Sequence, residues 1–206
     1  MHKNVVVCIG GMARTGSTVF CRLIAESVGA LNVGELIRLN SYRLAGKETI
    51  CSCGLGTNKC DLYTNQVDNS DFRIRLQQEF NIIVDNSKFI RSFFSWLFCL
   101  LKSGKLIYVF IYRNRRDVVY SIVHNHGPDG RKRLFKALLG WYFWTAMSYV
   151  VHFAITLIKS KRVKSLIVVN PGIFSNEDIA KVTELIEIRG MHCDHQIDGN
   201  FRYRNS

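Results

Sequence analysis

Near the start of the chain stands Gly10-Gly11-Met12-Ala13-Arg14-Thr15-Gly16-Ser17-Thr18, a glycine-rich turn closed by two hydroxyl residues and holding one cation. Glycines let backbone N–H groups turn toward an oxyanion, a helix opening at Ser17 adds the partial positive charge of its N-terminus, and Ser17 and Thr18 add hydroxyl donors. Together these groups suit a phosphate. Far downstream, "YRNRRDVVYS" places Arg113 at the end of an apolar run and Ser121 eight residues later, with Asp117 placed to start a helix. A guanidinium offers a fork of donors and a permanent charge to phosphate oxygens. Alone, an arginine-rich strand end is a solvated cap; downstream of a phosphate loop, it is expected to make a second anion contact.

Three further groups could take part in chemistry. Lys88 follows the run Asn81 to Val84 and is a candidate second cation at a transferring group, against the plain reading of a surface lysine. Glu35 follows Leu31 to Val33, where its carboxylate could serve as a general base or merely as a helix N-terminal charge. His124 and His126 are the alternative bases. Cys51-x-Cys53-x6-Cys60, with His192, Cys193 or His195 as a fourth ligand, has poor spacing for structural zinc, which favours paired C-x2-4-C units. A substrate-side loop with free thiols or a local disulfide is the expectation there, and no metal is required.

The elements that must position these groups alternate. Val5 to Ile9 is a β-branched run ended by glycines, which reads as a buried parallel strand, and Val19, Phe20, Leu23, Ile24 and Val28 mark one face of a helix over Ser17 to Val28. Strands are expected at Asn81 to Val84, Leu106 to Tyr112 and Leu166 to Val169, separated by helices at Phe89 to Leu101, Asp117 to Val123 and about Leu134 to Ile158. This alternation calls for an α/β fold of three layers, P-loop-like, with a central mainly parallel sheet flanked by helices and ligands at the carboxyl ends of its strands. At 206 residues and 48% hydrophobic composition the chain suits one domain, residues 1–206.

A formal net charge of +12 points to anionic partners. No aromatic-interleaved basic stripe accompanies it, which disfavours nucleic acid. No secretory signal is read at the N-terminus, and an odd cysteine count of seven, with Cys8, Cys21 and Cys99 at core positions, fits a reducing, cytoplasmic setting. Ala137 to Ile158 holds no Asp, Glu, Lys or Arg, long enough for a bilayer span. Strands on both sides favour a buried crossover helix, with peripheral membrane contact and a true span as the lesser readings.

Gly11 and Gly16 have the spacing of a Walker A loop, but Ser17 stands where its lysine would be, which disfavours an ATP or GTP hydrolase. Arg14-Thr15-Gly16-Ser17-Thr18 resembles instead the 5'-phosphosulfate loop of the sulfotransferases that use 3'-phosphoadenosine-5'-phosphosulfate (PAPS), and Arg113 with Ser121 looks like their 3'-phosphate motif. "GELIRL" at Gly34 to Leu39, "CSCG" with a later cysteine at Cys51 to Cys60, "VDNSK" at Val84 to Lys88 and "HQIDGNFRYR" from His195 echo the carbohydrate-type and bacterial branch. The matches run from Gly10 to about Arg204, with Phe201 in place of a family proline. The resemblance implies sulfuryl transfer from PAPS to a hydroxyl or amine of a carbohydrate, lipid or small metabolite, leaving 3',5'-ADP. Arg14, Thr15, Gly16, Ser17 and Thr18 would hold the 5' end and Arg113 and Ser121 the 3'-phosphate. Arg14, Lys88 and Glu35 would act on the transferring group and acceptor. The alternatives are a nucleotide-kinase-like phosphotransferase and a non-catalytic nucleotide-binding or membrane-associated protein.

Overall fold

A computed structural model describes residues 4–36, 42, 45–46, 59, 69–88, 90–100, 104–124, 130–170 and 172–186. Val5–Gly10 forms strand β1, buried at every position, as expected of a strand covered on both faces. It is the middle strand. β3 (Ile82–Asp85) pairs on one side and β4 (Lys105–Arg113) on the other, with β2 (Leu31–Gly34) beyond β3 and β5 (Val163–Asn170) beyond β4. All these pairings are parallel, so the sheet is five-stranded in the order β2-β3-β1-β4-β5.

Alternation along β1 and β4 divides the core into two layers. Val6, Cys8, Leu106, Tyr108 and Phe110 point to one face, where α2 (Asn69–Glu79), α3 (Ile90–Leu100) and α5 (Gly130–Ile158) contribute Leu76, Trp96, Val151 and Ile155. Val5, Val7, Ile9, Ile107, Val109 and Ile111 point to the other, against Phe20 and Ile24 of α1 (Ser17–Val28) and Val182 and Ile186 of α6 (Asn176–Ile186). Short α4 (Arg115–His124) follows β4.

Two of the expected helices depart from the sequence reading. Asp117 lies in the first turn of α4 rather than at its start; Asn114 supplies the cap, its Oδ1 accepting the Arg116 N–H at 2.9 Å. Helix α5 is a crossover from β4 to β5, but it is not buried. Only 17% of its most apolar stretch is covered, because a helix on one face of a sheet buries a single seam and this one is apolar all round.

Candidate functional site

Every strand of a parallel sheet delivers its carboxyl end to the same edge, and here each strand ends on a candidate site residue. β1 runs into the loop at Gly11, β2 into Glu35, β3 into Asn86, Ser87 and Lys88, β4 ends on Arg113 and β5 on Asn170. The loop is wound by three positive φ angles, Gly11 at 131°, Arg14 at 69° and Gly16 at 86°. Such alternation turns successive N–H groups inward to form an anion-binding nest. Arg14 holds the left-handed region without the freedom of a glycine, a strain that in folded proteins concentrates at ligand clamps.

The loop is held from three sides. Thr15 is buried and its hydroxyl donates to Met12 O at 2.9 Å, leaving its backbone rather than its side chain for a ligand. Asn170 Nδ2 donates to Thr15 O at 2.6 Å and its Oδ1 accepts the Gly172 N–H at 2.8 Å. A Cβ on Gly16 would come within 2.6 Å of Asn170 Nδ2, so glycine is required there by space as well as by φ. Arg113 Nη1 donates to Arg14 O at 3.1 Å, tying the β4 end to the tip of the loop.

A cavity of about 670 Å³ opens over this edge, lined by Arg14, Gly16, Ser17, Thr18, Glu35, Lys88, Arg113 and Ser121 among others. Of the residues expected to hold the cofactor or to act on the transferring group, all but Thr15 line this one space, whose size suits a small-molecule ligand. Arg14, Lys88 and Arg113 give it three cations against the single carboxylate of Glu35 among the described lining residues. Arg113 lines the cavity, where a guanidinium suits an anionic oxygen; its Nε is closed off from solvent and has no partner among the described residues. Lys88 Nζ bonds Glu35 Oε1 at 2.9 Å, both side chains partly covered. His124 is exposed, stacks near Tyr120 and lines neither this cavity nor the next.

A second cavity of about 410 Å³ shares Ala13, Glu35 and Lys88 with the first and continues along Met12, Tyr42, Lys136, Gly140 and Trp144. The Glu35–Lys88 pair therefore stands at the junction of a polar space beside the loop and a more apolar one beneath α5. His126, Cys51, Cys53, Cys60, His192, Cys193 and the segment from His195 lie outside the described residues.

Sequence reasoning missed Asn86 and Asn170. Asn86 is buried and donates from Nδ2 to Thr18 Oγ1 at 3.0 Å. Both asparagines stand at carboxyl ends of strands, the one signal that could have marked them. Asp85, last residue of β3, is fully buried with its carboxylate committed: Oδ1 accepts the Ser87 N–H at 2.7 Å, and Oδ2 accepts Ser92 Oγ–H at 2.7 Å and Trp96 Nε1–H at 2.5 Å.

No protein-family model and no curated protein sequence matches the chain. Among solved structures it is similar to shikimate kinase from Bacteroides thetaiotaomicron, at 10% identity and a TM-score of 0.51 over 89% of this chain and 99% of that one. A gluconokinase from Sinorhizobium meliloti 1021 aligns at 13% identity over 90% of this chain and 95% of its own, with a TM-score of 0.39. At such identity the first likeness establishes the fold alone: an α/β P-loop fold with an all-parallel sheet flanked by helices.

Proposed function

We propose that the chain is a P-loop group transferase and that the group it transfers is a sulfuryl, taken from PAPS. The observation that supports this most is the joint placement of Arg113 and Ser121 with Arg14, Ser17 and Thr18 around one cavity. A nucleotide with phosphates at both its 5' and 3' positions needs two anion contacts, and a loop without the lysine after Gly16 is a poor fit for a triphosphate. On this reading the acceptor enters by the second cavity, its hydroxyl or amine facing Glu35. The acceptor atom attacks sulfur, its proton passes to the Glu35 carboxylate, and the bond from sulfur to the 5'-phosphate oxygen breaks. Arg14, Lys88 and the N-terminus of α1 offset the charge left on that oxygen.

A second reading, a nucleotide-kinase-like phosphotransferase, is supported by the fold shared with shikimate kinase. Such enzymes hold magnesium with a strand-end aspartate, and Asp85 is the candidate by position. Its buried carboxylate would have to give up its bonds to Ser87, Ser92 and Trp96 first. Calorimetric titration with 3',5'-ADP and with ATP plus magnesium separates the two readings, together with turnover of sulfur-labelled PAPS against an acceptor panel in EDTA. Preferential binding of 3',5'-ADP and metal-independent transfer are expected. Tighter binding of ATP, with phosphoryl transfer abolished by chelation, would overturn the sulfuryl reading in favour of the kinase.

A further inference from the structure

Helix α5 carries two apolar seams on opposite sides. The inner one runs through Ala137, Trp141, Trp144, Ser148, Val151 and Ile155, of which Ala137, Ser148, Val151 and Ile155 are buried. It meets the sheet through Tyr108 Oη–H donating to Ser148 Oγ at 3.2 Å and through Phe110 against Tyr149. Two residues along, about 200° around the helix, the spacing repeats outward as Leu139, Phe143, Ala146, Val150, Phe153 and Leu157. These side chains face solvent, with Val150, Phe153 and Leu157 all about 60% exposed or more. An apolar strip on this scale marks a contact site in a folded protein.

The charges at the two ends of the strip select what covers it. Arg131, Lys132 and Arg133 stand in its first turn and Lys159, Lys161, Arg162 and Lys164 just past its last, with no acidic residue between. A second copy pairing along the strip would set basic end against basic end in either direction, and two chains of net charge +12 already repel. The complementary surface is apolar along its middle and negative at its rim. A membrane-crossing arrangement does not suit the topology, because α5 lies along β4 and β5, which pair in register from Leu106↔Val163 to Arg113↔Asn170. Both helix ends therefore return to one sheet.

We propose that the outward face of α5 docks on an anionic lipid bilayer, lying in the interface plane with its apolar row sunk among the acyl chains and its basic ends on headgroups. Flotation of the whole chain with vesicles tests this. Binding to vesicles of phosphatidylcholine and phosphatidylglycerol in equal parts is expected, with little to pure phosphatidylcholine and weakening as salt rises. The combined change Phe143→Ser, Val150→Ser and Phe153→Ser should weaken binding at least about a hundredfold, and Lys159→Glu with Lys161→Glu at least about tenfold. Far-UV circular dichroism and thermal melting confirm that these exposed substitutions leave the fold intact. Failure of the wild type to bind anionic vesicles would overturn the proposal, as would equal binding by the triple variant. Two further results would assign the strip elsewhere. A lipid-free dimer that the triple variant dissolves would give it to a second copy, and vesicle binding gained only after truncation at Ile186 would give it to residues 187–206.

Discussion

Replacing Arg113 by alanine probes the site at its most informative point, because this side chain has two separable jobs. Its Nη1 holds Arg14 O at 3.1 Å, and its guanidinium also lines the cavity beside the loop. The first bond is exposed and neutral at its acceptor. Its loss should loosen the loop by about 0.5–1.5 kcal/mol, near the lower end, and weaken any ligand seated there about two- to tenfold. The second job is specific to an anion placed against the β4 end. Losing a charged partner for a 3'-phosphate costs about 1.5–3 kcal/mol, or roughly ten- to 150-fold. Calorimetric titration of wild type and Arg113→Ala with 3',5'-ADP and with 5'-AMP resolves the two contributions. The 5'-AMP loss measures the loop, and the excess for 3',5'-ADP measures the phosphate contact, expected at no less than about tenfold. Arg113→Lys should recover charge but not the fork, and restore part of that excess. Equal losses for both nucleotides would refute the assignment of Arg113 to a 3'-phosphate and leave it as a clasp on the loop.

The remaining expectations follow from particular contacts. Glu35→Gln keeps the shape of the partner of Lys88 and should leave nucleotide affinity unchanged while lowering kcat by roughly 10²–10⁴-fold if the carboxylate takes the acceptor proton; wild-type kcat in single-turnover assays would send the search to His124 or His126. Gly16→Ala forces φ 86° on a residue with a Cβ and brings that atom within 2.6 Å of Asn170 Nδ2. It should lower stability by about 1–3 kcal/mol in urea titration and weaken nucleotide binding with it; unchanged stability would mean that the loop is more plastic than its anchors suggest. Burial pushes the Tyr108 phenol up to about 12, with the Ser148 bond opposing. The unfolded chain releases this proton near pH 10 while the folded chain keeps it, so stability should be intact below pH 10 and fall by about 2–3 kcal/mol toward pH 12. Tyr108→Phe should remove that share of the alkaline loss in denaturant titrations.

What could be read in advance was what local pattern controls. Val5–Gly10, Lys105–Arg113 and Ser17–Val28 announce themselves because a doubly covered strand must be continuously apolar and a helix on a sheet must repeat at three and four. Once a parallel sheet was expected, the common edge for Glu35, Lys88 and Arg113 followed, since topology alone carries strand ends together. Helix α2 escaped because Asn69–Glu79 has almost no apolar face. It rests on Leu76 and on Arg73 set over the Trp96 ring at 5.2 Å, a contact no periodicity reveals. Helix α6 was legible and passed over: Ser175 and Asp178 form a capping box, with Ser175 Oγ accepting the Asp178 N–H and Asp178 Oδ2 accepting the Ser175 N–H, both at 3.1 Å. The exposure of α5 was not legible at all. Opposed seams through Val151 and Val150 look alike along the chain, and only the sheet, by covering the first, leaves the second facing outward. The same limit applies at the site, where Asn170 secures a loop 155 residues earlier in the chain. Its role depends on β5 lying beside β4, in register from Leu106↔Val163 to Arg113↔Asn170. That pairing sets Asn170 level with Arg113, so one row of the sheet supplies both the clasp on Arg14 and the clasp on Thr15.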